Sequence, residues 1–413
     1  MKKEVLIYSD CFTFGGSEYV AINILKSPLI QSVFNLHFAY REHKEYSYYV
    51  NKLLSKEKCL KLHPLKLWSN DTLFHTINTK VRNRHLRYII KLPMWLVAHI
   101  GPYKWNNKYV FRKLLSEINV DLIHINNGGY PAAETCLYLA LCASELGIKN
   151  IFQVNNQATP MIKNRRDIKV EKSVNLFLTA TECARKELSL NRHFDINKIS
   201  TLFNAVEDPI PFRSKDEVRR ELGITQDDFI ITEVALLEKR KGQIPLLKAM
   251  LELKNLNESL YNITTILFVG NGEDERKICE FIESHGLEKK VKMLGYRLEY
   301  IDIVNASDVF ALPSLFNEDM PLSILTAMAL SKPILSSKLA GIPEEVEDNI
   351  NGCLADPLSP SFVSDIACLI EKIYNNKEAY GKASLIRYKS LFCREIYENK
   401  LIKLYNSIIY EDE

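Results

Sequence analysis

Glycine is scarce in this chain: 15 of 413 residues, about 4 % against an average near 7 %. Such a chain keeps glycine where backbone geometry demands it, so each one is worth locating. Cysteines are few and scattered, nine in all with no C-x-x-C. That excludes a disulfide scaffold or a zinc ribbon and fits reduced thiols in a cytosolic protein. Long apolar runs are also missing. The longest, over 89–100, is interrupted by Lys91 and Pro93 and falls short of the ~20 residues a membrane span needs. The opening residues MKKEVLIYSD read as a β-strand rather than a signal peptide. No G-x-G-x-x-G occurs, which argues against a dinucleotide oxidoreductase. No D-x-D or other metal-ligand cluster occurs either, so no metal site is expected. A net charge of +3 is too mild to argue for nucleic acid. The remainder, 46 % hydrophobic and 25 % charged, is ordinary globular composition and excludes disorder.

What is present is an alternation. Short β-rich apolar runs over 5–8, 36–40, 121–125, 150–154 and 176–179 are separated by helical patterns. The same holds over 229–234, 265–269, 291–294, 309–312 and 333–336. Near-continuous apolar strands between helices imply parallel sheets covered on both faces. The alternation pauses between Asn204 and Asp228, where Pro209, Pro211 and a charged run over 213–221 read as a linker with one short helix. The expected organisation is a Rossmann-like domain over 1–204, a linker over 205–228 and a second Rossmann-like domain over 229–392, with a cleft between the domains. A final helix over 393–410 is expected to pack back on the first domain.

One segment departs from the background. Between Asp71 and Glu117 there is no acidic residue, while nine basic residues run from Lys80 to Lys113. All three tryptophans, Trp68, Trp95 and Trp105, lie in it or on its flank. The segment 75–113 is either a solvated basic helix face or a contact with an anionic membrane surface, where each basic residue contributes about 1 kcal/mol. No nucleic-acid-reading motif accompanies it, so nucleic acid is not an expected partner.

In an open parallel α/β sheet, ligands bind at the carboxyl ends of strands, so the strand-to-helix turns carry the chemistry. The first turn, Phe12-Thr13-Phe14-Gly15-Gly16, lets backbone approach a phosphate at a helix N-terminus, or is simply a tight turn. Gly270-Asn271-Gly272 is followed by Glu273, Asp274 and Glu275; these acids would repel a diphosphate, and the turn reads as structural. Lys239-Arg240-Lys241-Gly242 sets three cations after a strand and before a helix, a candidate anion site. The richest stretch runs from Pro313-Ser314 through Glu318 to Pro321, which fits the first turn of an apolar helix. The free N–H groups of Leu322 and Ser323 would face an anion. Lys241 and this helix end are expected to clamp a diphosphate, with Glu318 addressing a polyhydroxyl group.

Along nearly its full length the chain resembles the retaining glycosyltransferases of family 4, the group 1 enzymes with the GT-B fold. The resemblance rests on Gly15-Gly16-Ser17-Glu18, Asp121-Leu122-Ile123-His124, Arg240-Lys241-Gly242-Gln243, Gly270-Asn271-Gly272, Ala306-Ser307-Asp308, Glu318-x-x-Pro321 and Ala340-Gly341-Ile342-Pro343-Glu344. It implies transfer of a sugar from a nucleotide-sugar, with UDP the expected carrier, to a lipid-linked or oligosaccharide acceptor, with no cofactor and no metal. The alternative is a GT-B partner subunit that no longer binds a donor. By position, Gly15, Gly16, Arg240, Lys241, Leu322 and Ser323 would meet the donor diphosphate. Glu318, Thr326, Tyr296 and Arg297 would meet sugar, ribose and base, and Glu318, Lys241 and Asn155 would stand at the reaction centre. The first domain would bind the acceptor through loops over 41–79 and 126–135. The implied location is cytoplasmic, peripheral on the inner membrane face. Three positions depart from the family pattern: Thr326 replaces a second Glu, Leu236 an Arg, and Asn155 a His. Asp319 and Ala340 stand where glycine is common.

Overall fold

The computed structural model describes residues 2–11, 15–57, 59–69, 74, 77–78, 80–81, 83–100, 102–156 and 165–411. Phe12, Thr13 and Phe14 of the first glycine turn, together with Thr79 and Arg82, lie outside the described residues. The chain divides into two compact units, one of residues 1–202 and 398–413, the other of residues 203–397.

The first unit is built on seven strands: β1 (Lys3–Ser9), β2 (Phe34–Arg41), β3 (Lys61–Leu65), β4 (Leu122–Asn127), β5 (Lys149–Val154), β6 (Leu176–Thr179) and β7 (Ile199–Thr201). They pair in parallel in the order β3-β2-β1-β4-β5-β6-β7. The second unit is built on six: β8 (Phe229–Val234), β9 (Thr264–Val269), β10 (Val291–Gly295), β11 (Val309–Leu312), β12 (Ile334–Ser337) and β13 (Gly352–Ala355). Their parallel order is β10-β9-β8-β11-β12-β13. The strand order reverses beside β1 in the first sheet and beside β8 in the second. These switch points open a crevice at the carboxyl ends, where ligands bind in doubly wound sheets.

The central strands form for the reason their composition suggests. Val5, Leu6, Ile7 and Tyr8 are fully buried, as are Ile231, Ile266, Leu267 and Phe310. A strand covered by helices on both faces needs apolar residues in both directions. Three strands escape the apolar pattern, and all three are sheet edges. β3 contains Pro64, which an edge tolerates; β7 has three residues; β13 begins at Gly352. In the stretch 205–228 the helix Lys215–Glu221 starts at a reciprocal cap: Ser214 N–H donates to Glu217 Oε2 at 2.8 Å and Glu217 N–H to Ser214 Oγ at 3.3 Å.

The helix Leu322–Ala329, which follows β11, leans on the 26-residue helix Phe362–Arg387. Gly381 sets how closely they pack, because a Cβ there would fall 2.4 Å from the Ser331 carbonyl oxygen. Alanine normally beats glycine inside a helix by about 1 kcal/mol. Here we expect the opposite sign: Gly381→Ala should lose about 1–3 kcal/mol through overpacking. Urea unfolding of the two proteins checks this, and a more stable variant would refute it.

Candidate active site

The second unit's switch point gathers charges that are far apart in sequence. The turn after β8 carries Lys239, Arg240 and Lys241, and the loop after β11 carries Glu318. Two backbone contacts hold the turns together. Leu315 N–H donates to the Arg240 carbonyl at 2.7 Å. Gly242, at φ +85°, lies so close to Pro313 that a Cβ would sit 1.9 Å from its carbonyl oxygen. Only glycine meets both conditions at once.

Lys241 Nζ then donates to both oxygens of Glu318, at 2.7 Å and 2.9 Å. Arg240 Nη1 donates to the same carboxylate and, at 3.2 Å, to the Asn317 carbonyl. The Arg240 Nε lies 2.5 Å from Glu238. Lys241 and Glu318 are both buried, so each offsets the other's desolvation. Pro321 is the residue before the helix Leu322–Ala329 rather than its first turn, and no side chain caps that end. The N–H groups of Leu322 and Ser323 have no hydrogen-bond partner among the described residues.

Two further carboxyl groups lie beneath this cluster, and nothing in the sequence pattern singles them out. Glu233 on β8 is fully buried and accepts a hydrogen bond from Gln243 Nε2 at 2.5 Å. Glu345, in the short helix Ile342–Glu345, is fully buried with no hydrogen bond to either oxygen among the described residues. Burial pushes both well above the usual carboxylate range; the charges of Glu318 and Asp319 push Glu345 further. Carboxyls raised in this way compete less for the charge of Lys241 than Glu318 does.

The other expected residues are placed as follows. Thr326 is buried and donates its hydroxyl to the Leu322 carbonyl one turn back, at 3.0 Å. That bond spends its single donor. Tyr296, exposed, and Arg297 follow the edge strand β10, two strands from β8 and so roughly 10 Å along the sheet. Arg297 Nε donates to the Leu294 carbonyl at 3.0 Å. Leu236 is half-exposed. Gly270 and Gly272 back directly onto the Ala235 and Leu237 carbonyls, where a Cβ would fall 1.9 Å and 2.2 Å away; their turn is structural. Among the described residues no group of three His, Cys, Asp or Glu side chains is placed to hold a metal ion.

In the first unit, Gly15 precedes the helix Gly16–Leu25. Its N–H donates to Glu18 Oε2 at 3.0 Å, and Ser17 Oγ donates to the same oxygen at 2.8 Å. A carboxylate therefore already sits at this helix end. Asn155 follows β5 and donates to Asn126 Oδ1 at 2.7 Å and to the Asn127 carbonyl at 3.0 Å. At the carboxyl ends of β1 and β2, Arg41 and Asp10 form a buried ion pair at 2.6 Å.

Two doubly wound parallel sheets in this order have the GT-B fold. The solved structures agree. A protein from Anabaena, Alr3699/HepE in complex with UDP, superposes with a TM-score of 0.76 at 15 % identity, covering 98 % of this chain and all of that one. A glycosyltransferase from Rickettsia africae gives 0.76 at 17 % identity, covering 99 % of each chain. Residues 214–386 match the model of the glycosyl transferases group 1. Among curated relatives, an Escherichia coli UDP-Gal:alpha-D-GlcNAc-diphosphoundecaprenol alpha-1,3-galactosyltransferase is 26 % identical over 259 residues, 59 % of this chain and 64 % of that protein. The Erwinia amylovora amylovoran biosynthesis glycosyltransferase AmsK is 33 % identical over 135 residues, 30 % of this chain and 31 % of that one. The matches to the first curated relatives span 54–64 % of those proteins' lengths.

Glu345 yields a pH prediction. Its raised folded-state pKa means the fold keeps a proton that the unfolded chain releases above about pH 4.3. That stability is fully present below the unfolded value and is lost as pH rises, at up to about 1.4 kcal/mol per pH unit. Glu345→Gln has no proton to lose. Thermal midpoints at pH 5 and pH 8 should show the variant gaining on the wild type at the higher pH; a pH-independent gap would refute this.

Proposed function

We propose that the protein is a retaining glycosyltransferase. It moves a hexosyl or N-acetylhexosaminyl group from a UDP-sugar to a lipid-linked or oligosaccharide acceptor in surface polysaccharide assembly, as in capsule, O-antigen or exopolysaccharide. The observation that carries this reading is the shared Glu318 carboxylate between Lys241 and Arg240, beside the open N–H groups of Leu322 and Ser323. An incoming diphosphate matches both cations and the helix end. It displaces Glu318, whose carboxylate then accepts hydrogen bonds from sugar hydroxyls. In the transfer step the acceptor oxygen bonds to the anomeric carbon on the face from which the phosphate leaves. The carbon–phosphate oxygen bond breaks, and that phosphate oxygen takes the acceptor proton. The protein supplies charge and position. Two cations and a helix end balance the leaving diphosphate, so the reading requires no metal. The galactosyl and amylovoran relatives support the polysaccharide setting.

Lys241→Ala should remove most sugar transfer from UDP-sugars; unchanged turnover would overturn the diphosphate assignment. Thr326 favours one second reading, a donor-free partner subunit, because it puts a hydroxyl, a weaker acceptor than a carboxylate, where the resemblance expects Glu. Thermal midpoints in UDP and GDP separate the two. Ligand at 100 times its dissociation constant adds about 2.7 kcal/mol, whereas a partner subunit shows no shift with either nucleotide.

We also assign the basic segment to a membrane surface. The helix Arg84–Ile100 exposes Leu86, Tyr88, Ile89 and Leu92, and the helix Pro102–Glu117 exposes Trp105 and Tyr109. Among the described residues no helix is long and apolar enough to cross a membrane, so the contact proposed is with the surface. Cosedimentation with vesicles containing anionic lipid should fall several-fold in Arg84→Glu/Lys91→Glu. Equal binding to neutral vesicles would refute it.

A further inference from the structure

Beside the first switch point, the carboxyl ends of β4 and β5 hold a relay of polar side chains that the transfer scheme leaves unused. Tyr405 Oη lies 2.6 Å from His124 Nδ1, and His124 Nε2 lies 2.8 Å from Gln153 Oε1. Gln153 Nε2 donates to Asn155 Oδ1 at 2.9 Å. Asn155 Nδ2 donates to Asn126 Oδ1 and the Asn127 carbonyl, and Asn126 Nδ2 donates to the Ser17 carbonyl at 3.0 Å and Ser9 Oγ at 3.2 Å. Tyr405, His124, Gln153 and Asn126 are all buried.

Two backbone carbonyls fix the direction of the relay, because a carbonyl only accepts. The Asn127 carbonyl requires the Asn155 NH2 group, so Asn155 Oδ1 faces Gln153. Gln153 must then offer its own NH2, which turns its Oε1 to His124. His124 answers with Nε2–H, and its Nδ1 accepts from Tyr405. The Ser17 carbonyl fixes Asn126 in the same sense. Burial holds the His124 pKa down to about 4, so the ring is neutral at pH 7 and has one N–H to give.

Both Asn155 amide hydrogens are thus spent, and one lone pair of Oδ1 is taken by Gln153. The side chain is only partly buried, and its remaining capacity is one acceptor lone pair. We propose that Gln153, backed by His124 and Tyr405, is a positioning residue that makes Asn155 an acceptor-only group whose ligand is a sugar hydroxyl. A phosphate oxygen brings no hydrogen and would be repelled there. The assignment of a sugar ligand rests on the glycosyltransferase reading above; the polarity of the relay does not.

The test has two arms on the full-length protein. The first is 15N NMR of the ligand-free protein with labelled histidine. His124 should appear neutral with its proton on Nε2; a proton on Nδ1 overturns the relay. The second uses whichever of UDP-glucose, UDP-galactose and UDP-N-acetylglucosamine the wild type hydrolyses fastest. Gln153→Glu, which sets two acceptors face to face, and Asn155→Ala should each lower kcat/KM about tenfold. The double variant should lose no more than either single one, because both remove one interaction. Additive losses, or a lowered thermal midpoint with unchanged kinetics, overturn the positioning role. Tyr405→Phe should lose less than Gln153→Glu, since Asn155 keeps its orientation; a larger loss also overturns it. A deficit already present in hydrolysis assigns the hydroxyl to the donor sugar, and one confined to transfer onto a glycan assigns it to the acceptor. If the wild type turns over no UDP-sugar, or Lys241→Ala is unimpaired, the glycosyltransferase reading and the sugar ligand fall together, and the NMR arm alone decides the relay.

Discussion

A buried lysine must meet a negative charge, and the second unit is arranged around satisfying that requirement once. Removing one partner of such a pair leaves an uncompensated charge out of water, at a cost of about 3–5 kcal/mol. Lys241 finds its partner in Glu318, 77 residues away in sequence. The close approach of Gly242 to Pro313 and the bond from Leu315 to the Arg240 carbonyl bring the two turns to that distance. Burial raises the carboxyls of Glu233 and Glu345, which weakens their competition for the same ammonium group.

The two switch points solve different problems with different chemistry. In the second unit the carboxyl edge is ionic. In the first it is built largely from amides and hydroxyls whose donors and acceptors are matched in sequence from Tyr405 to Ser17. Charges respond to a diphosphate over several ångströms, whereas a directed amide responds only to a group with the right hydrogen. At the opposite, amino edge of the second sheet, Arg219 donates to the Ala306, Thr225 and Asp228 carbonyls and to Asp308. That network is closed on itself and structural.

The central strands were legible because a strand buried on both faces writes its burial directly into apolar composition. Of the four edges, β10 was legible from its apolar run over 291–294, while Pro64 and Gly352 obscure β3 and β13 and β7 has only three residues. At the site, Arg240, Lys241 and Glu318 could be read from charge placed at turns, and the family resemblance added their roles. Glu345 and Gln153 could not. A buried carboxyl or amide differs from a surface one only in what surrounds it, and here those surroundings come from distant strands. Pro321 shows the limit of local reading: its fixed φ suits a helix start, yet the helix begins one residue later.

The Gly15 turn bears on how an anion is received at this fold. Glu18 occupies the Gly15 N–H in the ligand-free chain, much as Glu318 occupies Lys241. Both places are therefore held by tethered acids that act as place-holders. On the proposed function, an arriving diphosphate takes partners that a resident carboxylate holds, and the displaced carboxylate stays tethered nearby. The affinity on that reading is a difference between two good interactions. On that reading the tethered acid stays within reach of the cation that a leaving product vacates.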